Sequence, residues 1–584
     1  MTDKLAAAEA LFEAGQLMEA QAAFWAQLRA NPRQPKAWSR LGQIALKLGQ
    51  PAQAFDFFGN GYDFSPEDFD IRLGLGRSLA ALGRDGEAIA HFRKAALIDP
   101  NSKQAHYGLA LAMTAINDVD GAIMAWRNYL SIDENDPAAM TALAELLMRK
   151  LRFDEAENLL HFAALLDPEN PLPLVMQGNV KLAHHDQAAA QALYLKALDV
   201  APGHAPALFN LGNLAMAADD FEMAAGLFAM AHQQAPQDAR LANNLAIALK
   251  EQGRLDLAED ALRQAIASQP DFAEARWNLA TIHFLQGRWK EGFEEAEWRW
   301  DMSNFTTPRR DFGCPAWDGK PLPHGGTLLV HAEQGLGDGF QFVRYIPKLA
   351  SLAGEIVLEA DPKQASLFAR SFPSVTIVEQ GQPLPRSSAH VALMSLPHFL
   401  GAPLESGPYL TPDPTRVANW KKRLAGLGQG PWVGMAWQGN PGYHADRRRS
   451  PGLAPLLPLL DVPGIRLASL QSGIGREQLH KLSEGPIDFG NEEDPDVGTG
   501  FDGTAALVAA LDLIVASDSA IAHLAGALGK PLWLLLPFIP DWRWLMEGSG
   551  SPWYPSVTLF RQPKAGDWAT PVSAIAERLR SLDV

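Results

Sequence analysis

A 34-residue period organises the first half of this 584-residue chain. Proline recurs at one position of the period, a small residue at a second, and alanine at a third. Small side chains at two fixed points let two helices approach closely, and proline ends the second helix before the next pair begins. The period therefore predicts a series of helical hairpins. The prolines are Pro32, Pro66, Pro100, Pro168, Pro202, Pro236 and Pro270, the small residues are Gly42, Gly76, Ala110, Ala144, Gly178, Gly212, Ala246 and Ala280, and the alanines are Ala20, Ala54, Ala88, Ala122, Ala156, Ala190, Ala224 and Ala258.

This period and residue pattern resemble tetratricopeptide repeats. The resemblance implies about nine helical hairpins, from near residue 3 to about residue 302, stacked into a right-handed superhelix with a concave groove. We expect residues 1–302 to form this all-α domain. Residues 303–326 follow with several glycines and prolines, which is typical of a linker.

Three asparagines occupy the same position of the period, two residues before the small residue: Asn210, Asn244 and Asn278. An amide is both donor and acceptor, so a ladder of amides can pair with the backbone of an extended peptide. The arrangement resembles the repeats of O-GlcNAc transferases, which implies an acceptor-peptide groove. Asparagine at this position is also frequent in repeats that bind other ligands or none, so a purely structural role stays open.

The pattern changes after residue 326, where short apolar strands begin to alternate with helices. Two α/β units follow in tandem, residues 327–412 and 431–584, with an interdomain connection at 413–430. We expect the two facing Rossmann-like domains of the GT-B fold, with the acceptor side first and the donor side second. In open parallel sheets, ligands bind at the carboxyl ends of the strands.

Four motifs lie at such strand ends. They are Gly335–Gly339 (GLGDG), Ala436–Asn440 followed by the basic stretch Asp446–Ser450, Ser469–Gln471, and Ala516–Gly526. The last motif is a strand end that opens a helix. Helix N-termini attract phosphate through their unpaired amide groups and the helix dipole.

Together these motifs resemble the bacterial heptosyltransferase-like glycosyltransferases, over roughly residues 315–584. In that family the aspartate of the glycine-rich turn is the general base, which implies that role for Asp338. A helix cap is the alternative role for Asp338, with a contribution of about 1 kcal/mol. The family's acceptor is a lipid sugar, whereas the repeats of this chain favour a protein acceptor.

The same resemblance implies a donor site formed by phosphate-binding arginines and the turn around Asp518. The residues expected to bind the donor are Gly337, Gly339, Trp437, Asn440, Arg448, Arg449, Gln471, Asp518, Ser519 and His523. A solvated charge run is the alternative for Arg447–Arg449, and a core histidine is the alternative for His523. The aromatic cluster Asp541–Trp544 with Trp553–Tyr554 either stacks on a base or sugar or packs between the domains.

Composition limits the remaining possibilities. The net charge of −17 disfavours a nucleic-acid partner, and the single cysteine, Cys314, excludes an internal disulfide framework. No apolar stretch is long enough to span a membrane, and the N-terminus lacks the apolar core of a secretory signal. We expect a cytoplasmic protein without a cofactor and without a metal-ligand constellation.

The resemblance extends to flagellin glycosyltransferases, in which repeats precede the enzyme domain. It implies an inverting, metal-independent transfer of a pseudaminic-acid-type sugar from a CMP-linked donor to serine or threonine of flagellin. A UDP- or ADP-sugar donor, acting on another protein or on a glycan or lipid, is the first alternative. A non-catalytic scaffold or chaperone is the second.

Overall fold

The computed structural model describes residues 2–404, 407–443, 445–489 and 500–581. It divides into two compact units, Met1–Asp220 and Phe221–Val584. The first unit contains helical repeats only. The second contains the last repeats and the whole α/β region.

Helices of about 8 to 14 residues fill the repeat region of both units. In the first unit they are α1 Thr2–Glu13, α2 Leu17–Ala30, α3 Pro35–Lys47, α4 Pro51–Tyr62, α5 Phe69–Ala81, α6 Asp85–Ile98, α7 Lys103–Ala115, α8 Val119–Ile132, α9 Pro137–Arg149, α10 Phe153–Leu166, α11 Leu172–Ala183, α12 Gln187–Val200 and α13 Ala205–Ala217. In the second they are α14 Phe221–Gln234, α15 Ala239–Glu251, α16 Leu255–Ser268, α17 Ala273–Leu285 and α18 Trp289–Ala296, followed by a 3-10 helix at Glu297–Asp301.

The alanines and small residues of the 34-residue period lie at the contacts between helices. All eight periodic alanines have no exposed surface. At the small-residue position, a Cβ added to Gly42 would lie 2.5 Å from the ring of Phe58, and one added to Gly76 would lie 2.8 Å from the ring of Phe92. Those distances are too short for a real contact, so the prediction that small residues permit close helix packing is confirmed.

The α/β region consists of short parallel strands and the helices between them. Its elements are β1 Thr327–His331, α19 Leu336–Phe342, β2 Glu355–Ala360, α20 Pro362–Ser371, β3 Thr376–Glu379, β4 Ala389–Ala392, α21 Leu396–Leu400, α22 Pro414–Leu427, β5 Trp432–Ala436, α23 Asp446–Arg449, β6 Arg466–Ser469, β7 Ile487–Asp488, α24 Phe501–Ala510, β8 Leu513–Ser517, α25 Ala520–Ala527, β9 Leu532–Leu536, β10 Val557–Arg561 and α26 Ala569–Arg580. Short 3-10 helices lie at Pro323–Gly325, Val343–Ser351, Leu393–Ser395, Ala454–Asp461, Arg476–Lys481 and Trp542–Trp544.

These strands form two sheets, in the orders β3-β2-β1-β4 and β10-β9-β8-β5-β6-β7. All the strand pairs are parallel. In the second sheet β5 lies beside β8, and the chain winds outward in opposite directions from that pair. Such a point leaves a crevice at the carboxyl ends of the two strands, where ligands bind in doubly wound folds.

The predicted fold class, helical repeats followed by an α/β region of two sheets, is confirmed. The α-helix after β1 is short. It ends at Phe342, and the chain continues as the 3-10 helix Val343–Ser351. Pro347 lies in this segment and has no amide hydrogen for an α-helical bond.

The domain limits stay a prediction. The compact units separate at residue 220 rather than near 302, because the last repeats share a hydrophobic core with the α/β region. The segment 413–430, expected to be a connection, contains helix α22. Within the part of the chain that the structure describes, no helix has the length and apolarity needed to cross a bilayer.

Candidate functional site

Asp338 lies in the first turn of α19, directly after β1. Its Oδ2 accepts a hydrogen bond of 3.0 Å from the amide of Gly335, the residue that precedes the helix. Its Oδ1 accepts from Nη2 of Arg543, 205 residues further along the chain. The side chain keeps 16% of its surface exposed. Asp338 is therefore both a helix-capping residue, the alternative considered above, and a carboxylate that a ligand can still reach.

Arg543 is the main site residue that sequence reasoning missed. It lies in the short helix Trp542–Trp544, after β9, and donates to Asp338, to Asp541 at 2.8 Å and to Gln341. Its guanidinium lies 4.1 Å from the ring centroid of Trp542. Burial lowers the pKa of this guanidinium, but the two aspartates outweigh that effect and raise the pKa above its ordinary value. Arg543 is permanently charged at the centre of an acidic cluster.

Asp518 directly follows β8 and is almost completely buried. Burial and the carboxylate of Asp541 raise the pKa of Asp518 to about 6, while the guanidinium groups of Arg449 and Arg543 oppose that rise. Asp518, Arg449 and the pair Asp541 and Arg543 lie in the segments after β8, β5 and β9, which are neighbouring strands of one sheet.

His523 lies in α25 and is buried. Its Nδ1 is 2.9 Å from the hydroxyl of Tyr554, and its Nε2 is 4.0 Å from Oδ1 of Asp518. The ring stacks on Trp544 with centroids 5.4 Å apart. Burial lowers the pKa of His523 far below its usual value, and nearby arginines, Arg543 first among them, lower it further. The imidazole is neutral at pH 7, so it can offer a hydrogen bond but no positive charge to a phosphate.

The turn that opens α25 carries two hydroxyl groups without partners. The Oγ atoms of Ser517 and Ser519 are buried and have no hydrogen-bond partner among the described residues. Ser519 precedes the helix without capping it through its side chain. Buried polar groups are normally satisfied, so two unsatisfied hydroxyls beside a helix N-terminus fit the oxygens of an anionic ligand.

The glycine-rich turn and the α25 turn lie against each other. A Cβ added to Gly337 would lie 3.0 Å from Cδ2 of His523. Gly339 faces elsewhere, because a Cβ there would lie 2.5 Å from Oε1 of Gln364, whose amide donates to the carbonyl of Leu336 at 2.8 Å. The structure thus brings together the turns that carry Asp338 and His523, two predicted site residues that are 185 positions apart in the sequence.

The two arginines expected to bind donor phosphate differ in placement. Arg449 donates to Oδ1 of Asp446 at 3.1 Å, and its guanidinium lies 4.6 Å from the ring centroid of Tyr443. Arg448 instead pairs at 3.3 Å with Glu251 of α15, in the repeats. Of the two, Arg449 is the one whose charge influences Asp518.

Three further residues expected at the donor site make mostly internal contacts. The amide of Gln471 accepts from the backbone amides of Trp437 and Gln438 at 3.0 and 3.1 Å, and it donates to the carbonyls of Gln438 and Ile474. Trp437 has no exposed surface. Asn440 is exposed and accepts from the amide of Gly442 at 2.9 Å, within its own turn. Gln471 and Trp437 hold the ends of β5 and β6 together, and donor contacts by all three stay predictions.

The asparagines of the repeats also contact other asparagines. In the first unit Asn210 donates to Oδ1 of Asn179 at 2.9 Å. In the second unit Asn278 donates to Oδ1 of Asn243 at 2.8 Å, and Asn243 lies 3.4 Å from Oδ1 of Asn244. These bonds occupy part of the amide capacity that a peptide would use. Binding of a peptide backbone by Asn210, Asn244 and Asn278 stays a prediction.

The described ranges contain no group of three or more histidine, cysteine, aspartate or glutamate side chains placed to hold a metal ion. The cationic groups near the crevice are arginines, which can neutralise phosphate without a metal.

The repeat region matches a known family. Residues 5–59, 175–239 and 243–297 match one family of tetratricopeptide repeats. Residues 45–110 match a second family of the same repeat. The protein named Protein FlbA, from Caulobacter vibrioides, is 31% identical to this chain over 368 residues. The match covers 58% of this chain and 61% of Protein FlbA, so this chain spans less than two thirds of the length of that relative.

Solved structures with similar repeats include YrrB, described as a TPR protein with an unusual peptide-binding site (18% identity, 32% of this chain, 96% of that chain, TM-score 0.31). Others are the Cut9-Hcn1 complex (19% identity, 48% of this chain, 55% of that chain, TM-score 0.34) and PilF of Pseudomonas aeruginosa (23% identity, 36% of this chain, 95% of that chain, TM-score 0.31). The family matches show that the chain contains tetratricopeptide repeats, and the strands show that it continues into an α/β region built on two parallel sheets.

Proposed function

We propose that this protein is a protein O-glycosyltransferase that holds a nucleotide sugar at the β5/β8 crevice and an acceptor hydroxyl at Asp338. The observation that carries the proposal is the packing of Gly337 on His523. This contact supports the proposal because the turn that carries Asp338 packs against the turn with the two unsatisfied hydroxyls.

The proposed reaction is a single displacement with inversion. The acceptor hydroxyl oxygen forms a bond to the anomeric carbon while the bond from that carbon to the donor phosphate oxygen breaks. Asp338 accepts the hydroxyl proton, and general-base catalysis of this kind contributes about 10² to 10⁴ in rate. The leaving phosphate would be stabilised by the N-terminus of α25, the hydroxyls of Ser517 and Ser519, and Arg449.

The acceptor in this proposal is a protein recruited by the repeats. Its support is the way the last repeats pack on the α/β region, through Arg448 with Glu251 and through Phe284 with Trp542. Family resemblance makes flagellin the leading acceptor and a CMP-linked, pseudaminic-acid-type sugar the leading donor. The partial match to Protein FlbA is compatible with this combination of domains. A cytoplasmic location belongs to the same proposal.

A non-catalytic scaffold is the second candidate function, because one observation favours it. Both oxygens of Asp338 accept hydrogen bonds inside the protein, one from Gly335 and one from Arg543. A carboxylate held in this way serves equally well as a helix cap in a protein that only binds partners.

Intact-mass measurement of flagellin separates the two functions. Flagellin is co-expressed with a nonulosonic acid pathway and with the wild-type protein, Asp338→Asn or Asp361→Asn. Asparagine at 338 can still accept from Gly335, so the helix cap is kept while the base is lost. Asp361 caps α20 by accepting from Lys363 and serves as the matched control.

We expect a mass increment with the wild-type protein and with Asp361→Asn, and none with Asp338→Asn. A mass increment that persists with Asp338→Asn would show that Asp338 acts only as a helix cap and not as the base. No increment with any of the proteins, in cells shown to make the donor, would contradict transfer of this sugar to flagellin.

A further inference from the structure

We propose that Arg543 is a donor-binding residue that pairs with Asp338 and exchanges this partner for the donor phosphate. Phosphate binding would thereby precede activation of the acceptor hydroxyl. This inference rests on the proposed function and adds to it a residue that the sequence motifs do not include.

The position of Arg543 supports a role in ligand binding. The residue lies beyond the carboxyl end of β9, and β9 is the neighbour of β8, whose end carries Asp518. The next residue, Trp544, stacks on His523 of α25 with ring centroids 5.4 Å apart, so Arg543 lies beside the α25 turn as well as beside Asp338. In the proposed exchange, the guanidinium turns from the carboxylate of Asp338 toward a phosphate at that turn.

The charge balance of the crevice supports an exchange of partners. Arg543 donates to Asp338 and Asp541, and the charges of Asp518 and Arg449 act on the same cluster. An anionic donor brings further negative charge into this cluster. The guanidinium can form two parallel bonds to a phosphate as readily as to a carboxylate, so the donor phosphate competes directly with Asp338 for Arg543.

The exchange would change what Asp338 can do. In the structure, Oδ1 of Asp338 accepts from Arg543 and Oδ2 accepts from Gly335. An acceptor hydroxyl must therefore share an oxygen with the guanidinium. When Arg543 turns to phosphate, Oδ1 is available for the hydroxyl proton while Gly335 still orients the carboxylate.

A purely structural role for Arg543 is the competing interpretation. The guanidinium lies over Trp542 and donates to Gln341, and both residues are buried. A structural role predicts that any change at Arg543 loosens the loop, with no specific effect on nucleotide affinity. The matched control is Arg561, which holds the same loop by donating to the carbonyls of Trp544 and Leu545.

The test is calorimetric titration of the full-length protein with CMP, UDP and ADP, the nucleotides that the candidate donors would release. The proteins are the wild type, Arg543→Lys, Arg561→Lys, Asp338→Asn and the double variant Asp338→Asn/Arg543→Lys. Thermal unfolding of each variant shows whether it is folded. Lysine keeps the charge of arginine but loses the planar pair of donors.

We expect one of the three nucleotides to bind the wild-type protein and Arg561→Lys equally, and to bind Arg543→Lys at least about tenfold more weakly. Asp338→Asn frees Arg543 and should bind the same nucleotide about threefold to tenfold more tightly. That gain should disappear in the double variant, because it depends on Arg543 rather than on lower repulsion.

Equal affinity of the wild type and Arg543→Lys would overturn donor binding by Arg543 and leave the proposed glycosyltransferase intact. If the gain in nucleotide affinity in Asp338→Asn persists in the double variant, or if there is no gain, Arg543 does not exchange Asp338 for phosphate. If none of the three nucleotides binds the wild-type protein, both this inference and the donor site of the proposed function fail.

Discussion

The ring of Phe284, in helix α17, stacks on the indole of Trp542 with centroids 4.3 Å apart and planes 27° apart. Phe284 belongs to the last repeats, and Trp542 is the residue before Arg543 in the α/β region. The repeats thus support the segment that carries the central arginine of the candidate site. The last repeats and the α/β region therefore share one hydrophobic core next to the candidate site.

Removal of the Phe284 ring should destabilise the second unit. Phe284 has no exposed surface, and replacement of a buried phenylalanine by alanine costs about 3–5 kcal/mol. We expect Phe284→Ala to lower the free energy of unfolding in urea by about that amount. Phe162→Ala is the control, because Phe162 is 56% exposed and its loss should change stability by less than about 0.5 kcal/mol. Equal effects of the two substitutions would contradict the shared core.

A buried ion pair also joins the last repeats to the loop after β1. Arg299 has no exposed surface and donates to both carboxylate oxygens of Glu333, at 2.7 and 3.0 Å. Removing one partner of such a pair costs about 3–5 kcal/mol, because it leaves a buried charge uncompensated. We expect Arg299→Met to lose that amount in urea unfolding, and Arg299→Met/Glu333→Leu to recover a large part of it. A double variant less stable than Arg299→Met would show that the charge of Glu333 is compensated elsewhere.

The raised pKa of Asp518 predicts a pH dependence of stability. Burial, with Asp541, raises this pKa to about 6, against about 3.9 in an unfolded chain. Between the two values the folded protein binds more protons at this site than the unfolded chain, so the contribution of Asp518 to the free energy of unfolding falls as pH rises.

The measurement is urea unfolding of the wild type and Asp518→Asn from pH 4 to pH 7. The stability of the wild type relative to the variant should fall by about 2–3 kcal/mol up to about pH 6 and then stay level. A difference that is constant, or that rises with pH, would contradict an elevated pKa at Asp518.

The close contact between the two turns predicts a specific effect of one added methyl group. A Cβ at Gly337 would lie 3.0 Å from His523, so Gly337→Ala should push α19 away from α25 and reduce both nucleotide affinity and transfer. Gly226→Ala is the matched control, because a Cβ there meets nothing within 4 Å in the middle of α14. The control should keep full affinity and gain up to about 1 kcal/mol in helix stability. Normal affinity in Gly337→Ala would show that the two turns can separate without consequence.

Much of the fold is predictable because it depends on repeating local rules. The periodic alanines are buried at every expected position, and segments such as 355–360 and 432–436 form strands where apolar residues run together. Each of the turns that carry Asp338 and His523 follows the carboxyl end of a parallel strand, as expected for ligand-binding turns, although the two strands belong to different sheets.

The role of Arg543 was not predictable in this way. Its partner Asp338 is 205 residues away, and the surrounding tryptophans made the segment resemble ordinary aromatic packing. Likewise the sequence alone did not indicate that Arg448 pairs with Glu251 while its neighbour Arg449 remains near the crevice. Contacts between distant segments depend on how helices and strands pack in three dimensions, and the periodicity of the sequence does not reveal that packing.

The most direct measurement is a reaction of the purified protein with purified flagellin and a CMP-linked nonulosonic acid, followed by intact mass of flagellin and by release of CMP. We expect one CMP released for each sugar gained, with both signals lost in Asp338→Asn, which still binds CMP. Release of CMP without a gain in flagellin mass, or transfer at an unchanged rate by Asp338→Asn, would contradict the proposed function.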